Sequence, residues 1–100
     1  MINITTAKKL DKLGIIKTGD NFSIGYAKHI YSRNVSIEEL LEKLPLDISH
    51  GKSYGNLTII REDNIYEAYY SPLEKHGAEH KNLTEALSML LIKLKEEGLI

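Results

Sequence analysis

The chain has 100 residues, of which 42% are hydrophobic and 27% are charged, with a net charge of −1 and no cysteine. These values are those of an ordinary globular protein, and they predict a single domain over residues 1–100. The lack of cysteine excludes disulfides, thiolate zinc sites and a cysteine nucleophile, and it favours a cytoplasmic protein. No apolar run reaches the roughly 18 residues of a membrane span, and we expect no secretory signal.

The charge is unevenly distributed along the chain. Residues 1–34 contain six Lys and Arg against two Asp, whereas residues 35–100 contain seven Lys and Arg against twelve Asp and Glu. A net charge near zero argues against a protein built mainly to neutralise nucleic-acid phosphates. The simplest interpretation of the uneven charge is a solvated helix face. An electropositive surface, or head-to-tail pairing of protomers, remains open.

The first predicted helix runs from Thr5 or Thr6 to Leu13, and Gly14 can supply a left-handed stop. The stretch after it is the hardest to assign. Alternating aromatic and aliphatic residues within 22–31 favour a strand, but a glycine among them weakens it. Whether residues 22–31 form a strand or a helix stays open.

The second predicted helix begins after Ser36, where Glu39 three residues later completes a capping box, and it ends at Pro45. We expect a short strand at residues 46–48 and a loop at residues 50–53. The buried face of the helix is predicted to comprise Ile37, Leu40, Leu41 and Leu44.

A β-hairpin is predicted next, with strands at Leu57–Ile60 and Ile65–Tyr70 joined by a turn at residues 62–64. Because Glu67 is charged, we expect its face of the second strand to be exposed and the opposite face to be buried. Residues 71–81 are predicted to form a polar connection. The inward positions of the hairpin are then Leu57, Ile59, Tyr66, Ala68 and Tyr70.

The last helix is the clearest pattern in the sequence. Asn82 is a good N-cap, Glu85 can reach back to the N–H of the cap, and Gly98 can end the helix. One apolar stripe of helical period lies between them. The predicted fold is therefore α+β, a two-layer sandwich in which an antiparallel sheet of three to four strands carries about three helices on one face. The predicted core is Leu10, Leu13, Ile37, Leu40, Leu41, Leu44, Leu57, Ile59, Leu83, Leu87, Leu90, Leu91 and Leu94.

Residues His76 to His80 spell H-x-x-E-H, which on a helix can present two zinc ligands and a general base. Gly77 interrupts the segment, and a catalytic zinc needs a third protein ligand. His76 and His80 are therefore weak metal candidates, and we predict no cofactor, no catalytic residue and no enzymatic activity. DNA reading by the second helix is also disfavoured, because its three glutamates would repel phosphates.

Three kinds of binding site remain open, of which the weakest is a phosphate-backbone site on the basic first third of the chain. Met89 and Ile92 lie off the main stripe of the last helix, which predicts a second apolar patch for a protein partner or for self-association. Alternatively, a basic, tyrosine-lined pocket could capture a small anionic metabolite or a nucleotide. Its predicted residues are Lys28, Arg33, Lys52 and Tyr54, with the tyrosine stacking on a planar ligand.

The order of these segments resembles a widespread group of small phage and prophage proteins of uncharacterised function. The match begins at Thr6–Ile15, continues loosely through Phe22–Tyr31, and includes E-L-L-x-x-L-P at Glu39–Pro45. After a hairpin, the ending A-L-x-x-L-L-I-x-L-x-E-x-G is matched at Ala86–Gly98.

The resemblance covers nearly the whole chain, but its motifs are packing and capping motifs. The aromatic segment departs most, because Gly25 and Lys28 stand where aromatic residues are usual. The resemblance implies a phage accessory protein made in the cytoplasm of a bacterial host, and it supplies no catalytic residues. We expect a non-enzymatic binding module whose partner is a host or phage protein.

Overall fold

The computed structural model describes residues 4–16, 35–50, 53–71 and 73–100. Within these ranges the fold is α+β, as predicted, with three helices and a four-stranded antiparallel sheet. The undecided segment 22–31 lies outside the described residues. The elements in chain order are α1 (Ile4–Lys12), α2 (Ile37–Lys43), β1 (Asp47–His50), β2 (Ser53–Glu62), β3 (Ile65–Ser71), β4 (Leu73–His80) and α3 (Leu83–Glu96).

The strands follow one another across the sheet in the order β1-β2-β3-β4, and all neighbouring strands are antiparallel. The β2–β3 turn consists of Asp63 and Asn64, whose φ angles of 51° and 65° are both positive. Two successive left-handed residues are typical of a type I′ hairpin turn, and Asp and Asn tolerate this conformation better than other non-glycine residues. The predicted hairpin is therefore confirmed, although β2 begins at Ser53, earlier than expected.

The prediction of a polar connection over residues 71–81 is wrong, because Leu73–His80 forms β4. Its second half pairs with β3 in regular register, with Ala78 opposite Ala68 and Gly77 opposite Tyr69, and the register shifts between Tyr69 and Tyr70, where Leu73 is the next partner. Its formation depends on pairing with β3 and on α3 packing against it. Its own sequence lacks the apolar alternation that identifies a half-buried strand.

Local signals fix the ends of the helices. At Ser36 both halves of the predicted capping box are present. Gly98, with a φ of 75°, follows α3, and the N–H of Leu99 donates to the carbonyl of Leu94 at 2.9 Å. This pattern is a Schellman motif. Gly14 ends α1 in the same way with a φ of 72°, so both predicted glycine stops are confirmed.

Helix α3 is at the centre of the molecule. It packs on β3 and β4, and both α1 and α2 pack on it. No helix within the described ranges is long and apolar enough to cross a membrane. The predicted core residues that are buried are Leu10, Leu40, Leu44, Leu87, Leu90, Leu91 and Leu94, while Leu13, Leu57 and Leu83 are partly buried against them.

Three residues predicted to be buried are exposed. Ile37 and Leu41 on α2 are 37% and 38% exposed, because this short helix packs mainly through Leu40 and Leu44. Ile59 points to the same side of the sheet as Ala68. It lies on β2, however, whereas α3 packs mainly on β3 and β4. The remaining hydrophobic core residues are Ala7, Ile16, Val35, Ile48, Ala68, Tyr70, Ala86 and Ile92.

Candidate functional site

A groove of about 380 Å³ lies between α1 and α3. It forms where the start and middle of α1 run beside the second half of α3. We call it the α1–α3 groove, and it is lined by Thr5, Thr6, Lys9, Met89, Ile92, Lys93 and Glu96.

The apolar part of the groove is formed by Met89 and Ile92, the two residues for which the sequence predicts an interface. Met89 is 38% exposed, whereas Ile92 is only 7% exposed and belongs to the hydrophobic core. The prediction that Ile92 lies outside the buried stripe is therefore wrong, because α1 packs on α3 and widens the buried side of that helix. Met89 is left as the apolar side chain available for contact, and a flexible thioether adapts to partners of different shape.

The rim of the groove is charged, with two lysines and one glutamate. The amine of Lys9 lies 3.9 Å from the Glu96 carboxylate, and both side chains are more than half exposed. An ion pair of this kind contributes little stability in water and exchanges readily. The amine of Lys93 donates to the carbonyl of Gly77 on β4 at 3.3 Å. The side chains of the rim carry two positive charges and one negative charge, a net charge of +1.

Below the groove, the hydroxyl of Thr6 donates to the carboxylate of Glu85 at 2.8 Å. The sequence predicts that this glutamate reaches back to the N–H of Asn82, and that prediction is wrong. The Asn82 N–H donates instead to Nδ1 of His80, while the Asn82 side chain accepts from the Glu85 N–H as expected of an N-cap. Glu85 thereby joins the two helices that form the groove.

The predicted anion pocket is described only at Tyr54. This side chain is half exposed, and the nearby Asp47 carboxylate raises the pKa of its phenol, chiefly through a hydrogen bond. A carboxylate beside Tyr54 disfavours an anionic ligand at this position. Lys28, Arg33 and Lys52 lie outside the described residues, so the pocket as a whole stays a prediction.

The two candidate metal ligands, His76 and His80, both belong to β4. Residues four apart on a strand are separated by about 13 Å, so the helical H-x-x-E-H arrangement does not form. Nδ1 of His80 accepts the hydrogen bond from Asn82. Among the side chains that the structure describes, no group of three or more could hold a metal ion.

The sheet face opposite the helices carries a cluster of carboxylates that the sequence does not reveal. Glu67 lies directly opposite Glu79 on neighbouring strands, and like charges in this position repel. Sequence patterns cannot find this cluster, because it depends on the pairing of β3 with an unpredicted strand. The cleft there has a volume of about 210 Å³ and is lined by Ile60, Glu62, Asp63, Ile65, Glu67 and Glu79.

Comparison with protein-family models, with curated proteins and with solved structures found no significant match to this chain. Its function is therefore inferred from the α1–α3 groove and from the charges around it. The groove unites an apolar floor, an exposed methionine and a rim with a net charge of +1.

Proposed function

We propose that this protein is a non-enzymatic binding module and that its α1–α3 groove receives a segment of a protein partner. The observation that carries the proposal is the exposure of Met89 at the floor of the groove. A contiguous apolar surface with a polar rim is a feature of protein-interaction sites, and here Met89 and Ile92 line one groove together. Water released from this surface on binding favours association.

The composition of the rim favours a protein segment over a small apolar ligand. Lys9, Lys93 and Glu96 are long side chains that can pair with charges of a partner while the floor holds an apolar residue. An apolar anchor in a pocket with a polar surround is the usual arrangement of an energetically important contact. The excess of lysine favours a partner segment with acidic residues beside its anchor.

The biological setting that we propose comes from the resemblance to small phage and prophage proteins. An accessory protein of this kind acts in the cytoplasm of a bacterial host and binds a protein of the host or of the phage. Binding without catalysis is consistent with a surface that offers Met89, lysines and threonines for contact.

The test places a photo-crosslinking amino acid at position 89 in the protein made in bacterial cells. A matched control carries it at Ile60, which is 40% exposed against 38% for Met89 but lies on the sheet. We expect a defined protein to crosslink from position 89 and not from position 60.

The captured protein is then purified and titrated with the wild type, Met89→Gln and Ile60→Gln. Glutamine is close to methionine in length, so Met89→Gln removes the apolar contact without a change of charge. We expect affinity to fall about tenfold or more for Met89→Gln and to stay unchanged for Ile60→Gln. Equal affinity of all three proteins would show that the groove is not the binding surface.

A further inference from the structure

Among the residues that the structure describes, nothing covers the exposed side of α2. Ile37 and Leu41 lie one helical turn apart and are each more than a third exposed, so they form one continuous apolar strip. Both follow the helical pattern of buried residues. Their exposure therefore leaves an apolar surface that another molecule could cover.

Acidic residues border this strip on its solvent side. Glu38 and Glu42 each follow a strip residue by one position, which places them about 100° further around the helix, and both are exposed. The surface of α2 thus combines two aliphatic side chains with two negative charges.

The α1–α3 groove is the complement of this surface. Its floor contains Met89 and Ile92, and its rim contains Lys9 and Lys93 against the single acid Glu96. The aliphatic side chains of α2 would contact the apolar floor of the groove, and the negative charges of α2 would lie near the net positive rim. Docking of an amphipathic helix in a groove, with anchors at i and i+4, is a common mode of recognition.

We propose that the α1–α3 groove binds α2 of a second copy of this chain. The proposal rests on the proposed function only in treating the groove as a protein-binding surface, and it goes further by naming an occupant. Self-association would cover the exposed strip of Ile37 and Leu41 and the exposed Met89 together. It would also compete with a foreign partner for the same groove, so the free protein would be stored in a self-bound form.

The two surfaces of this contact are different, which makes it heterologous. Two copies can close into a dimer with two such contacts, and copies can also join head to tail. In either case each copy supplies one α2 strip and one groove. This property allows a complementation test, since a defect in one surface leaves the other intact.

The experiment measures association by sedimentation velocity at protein concentrations from about 10 μM to 1 mM, a range suited to a small interface. Leu41→Gln damages the α2 strip and Met89→Gln damages the groove. We expect each variant alone to associate at least about tenfold more weakly than the wild type. We expect an equimolar mixture, with one variant fluorescently labelled, to form the mixed complex, because one intact contact is restored.

Two further variants control the result. Ile60→Gln, on the sheet, should associate like the wild type. Reversal of both acids of α2, Glu38→Lys with Glu42→Lys, should weaken association about tenfold, and both side chains are exposed. Circular dichroism confirms that each variant is folded before it is compared.

A monomeric wild type over the whole range would overturn the self-docking proposal, and so would a mixture that associates no better than its components. Either result leaves the crosslinking test of a foreign partner at position 89 unaffected, so failure of self-docking is distinguishable from failure of the proposed function. Failure of the proposed function would appear as absence of any crosslinked protein other than the chain itself.

Discussion

The hydroxyl of Thr6 donates to the Glu85 carboxylate at 2.8 Å and joins the first turns of two helices that are 79 residues apart in sequence. Glu85 is only 6% exposed. Helix α1 has no acidic residue of its own in its first turn, so Glu85 supplies a negative charge near the positive end of its dipole. This contact orients α1 on α3 and thereby sets the shape of the groove between them.

Replacement of Glu85 should destabilise the protein. Glu85→Ala removes the acceptor of the Thr6 hydroxyl, and we expect the free energy of unfolding to fall by about 1.5–3 kcal/mol, the range for hydrogen bonds to charged groups. Glu85→Gln keeps an acceptor oxygen and should lose less. Urea unfolding of the two variants gives the comparison, and Thr6→Val, which removes the donor, tests the same bond from the other side; a neutral Thr6→Val would contradict a role for this hydrogen bond.

The Tyr70 hydroxyl makes a second connection between distant elements, because it donates to the carbonyl of Pro45 at 2.7 Å. This bond holds β3 to the segment that follows α2. We expect Tyr70→Phe to lower the free energy of unfolding by about 0.5–1.5 kcal/mol. Tyr66→Phe, on a half-buried ring of the same strand, is the matched control and should be nearly neutral in the same denaturation experiment.

Burial, and to a smaller extent the negative charge of Asp47, raises the pKa of Tyr70 to about 12 from its usual 10. The folded protein therefore holds this proton more tightly than the unfolded chain does. The contribution of the group to stability is complete below pH 10 and is lost as pH rises from about 10 to 12. The wild type should lose more stability than Tyr70→Phe in denaturant titrations across this range. Parallel curves would contradict the raised pKa.

Replacement of a leucine by alanine should have unequal effects on stability in α3 and in α2. Leu90 is fully buried, so Leu90→Ala should lower the free energy of unfolding by about 2–5 kcal/mol. Leu41→Ala removes a side chain that is 38% exposed and should cost well under half as much. The measurement is made at low protein concentration, where self-association through α2 does not contribute. A loss from Leu41→Ala as large as that from Leu90→Ala would place Leu41 in the core.

The helices are predictable from sequence because their signals are local. The capping box at Ser36 and the glycine stops at Gly14 and Gly98 each depend on residues within one turn of the helix end. The width of the buried face is not local, since it depends on the surface that each helix meets. Periodicity alone therefore places Leu41 in the core and Ile92 outside it, and both placements are wrong.

The candidate site is predictable only in part for the same reason. Met89 is recognisable as an apolar residue off the main stripe of α3. The α1 side of the groove is not recognisable, because it forms only when α1 packs on α3. Strand β4 escapes prediction because its pairing with β3 stabilises it and its sequence lacks alternation. The register that places Glu67 opposite Glu79 depends on the pairing of that strand, so it cannot be predicted from the sequence either.

The close approach of β2 and β3 at Gly55 provides a last prediction about such long-range packing. A Cβ atom at Gly55 would lie 2.9 Å from Cβ of Tyr70 and 3.0 Å from its carbonyl oxygen. Both distances are shorter than van der Waals contact, so Gly55→Ala must push the two strands apart. We expect the free energy of unfolding to fall by about 1–3 kcal/mol, the usual cost of overpacking.

Gly98→Ala is the control, because Gly98 has open space around it and a φ of 75°. It should cost about 1 kcal/mol through backbone strain alone. The two variants differ in a second measurement, the near-ultraviolet circular dichroism of the tyrosines. We expect Gly55→Ala to change this signal by displacing the buried ring of Tyr70, whereas Gly98→Ala should leave it unaltered. An unchanged stability and spectrum for Gly55→Ala would mean that β2 does not approach Tyr70 so closely.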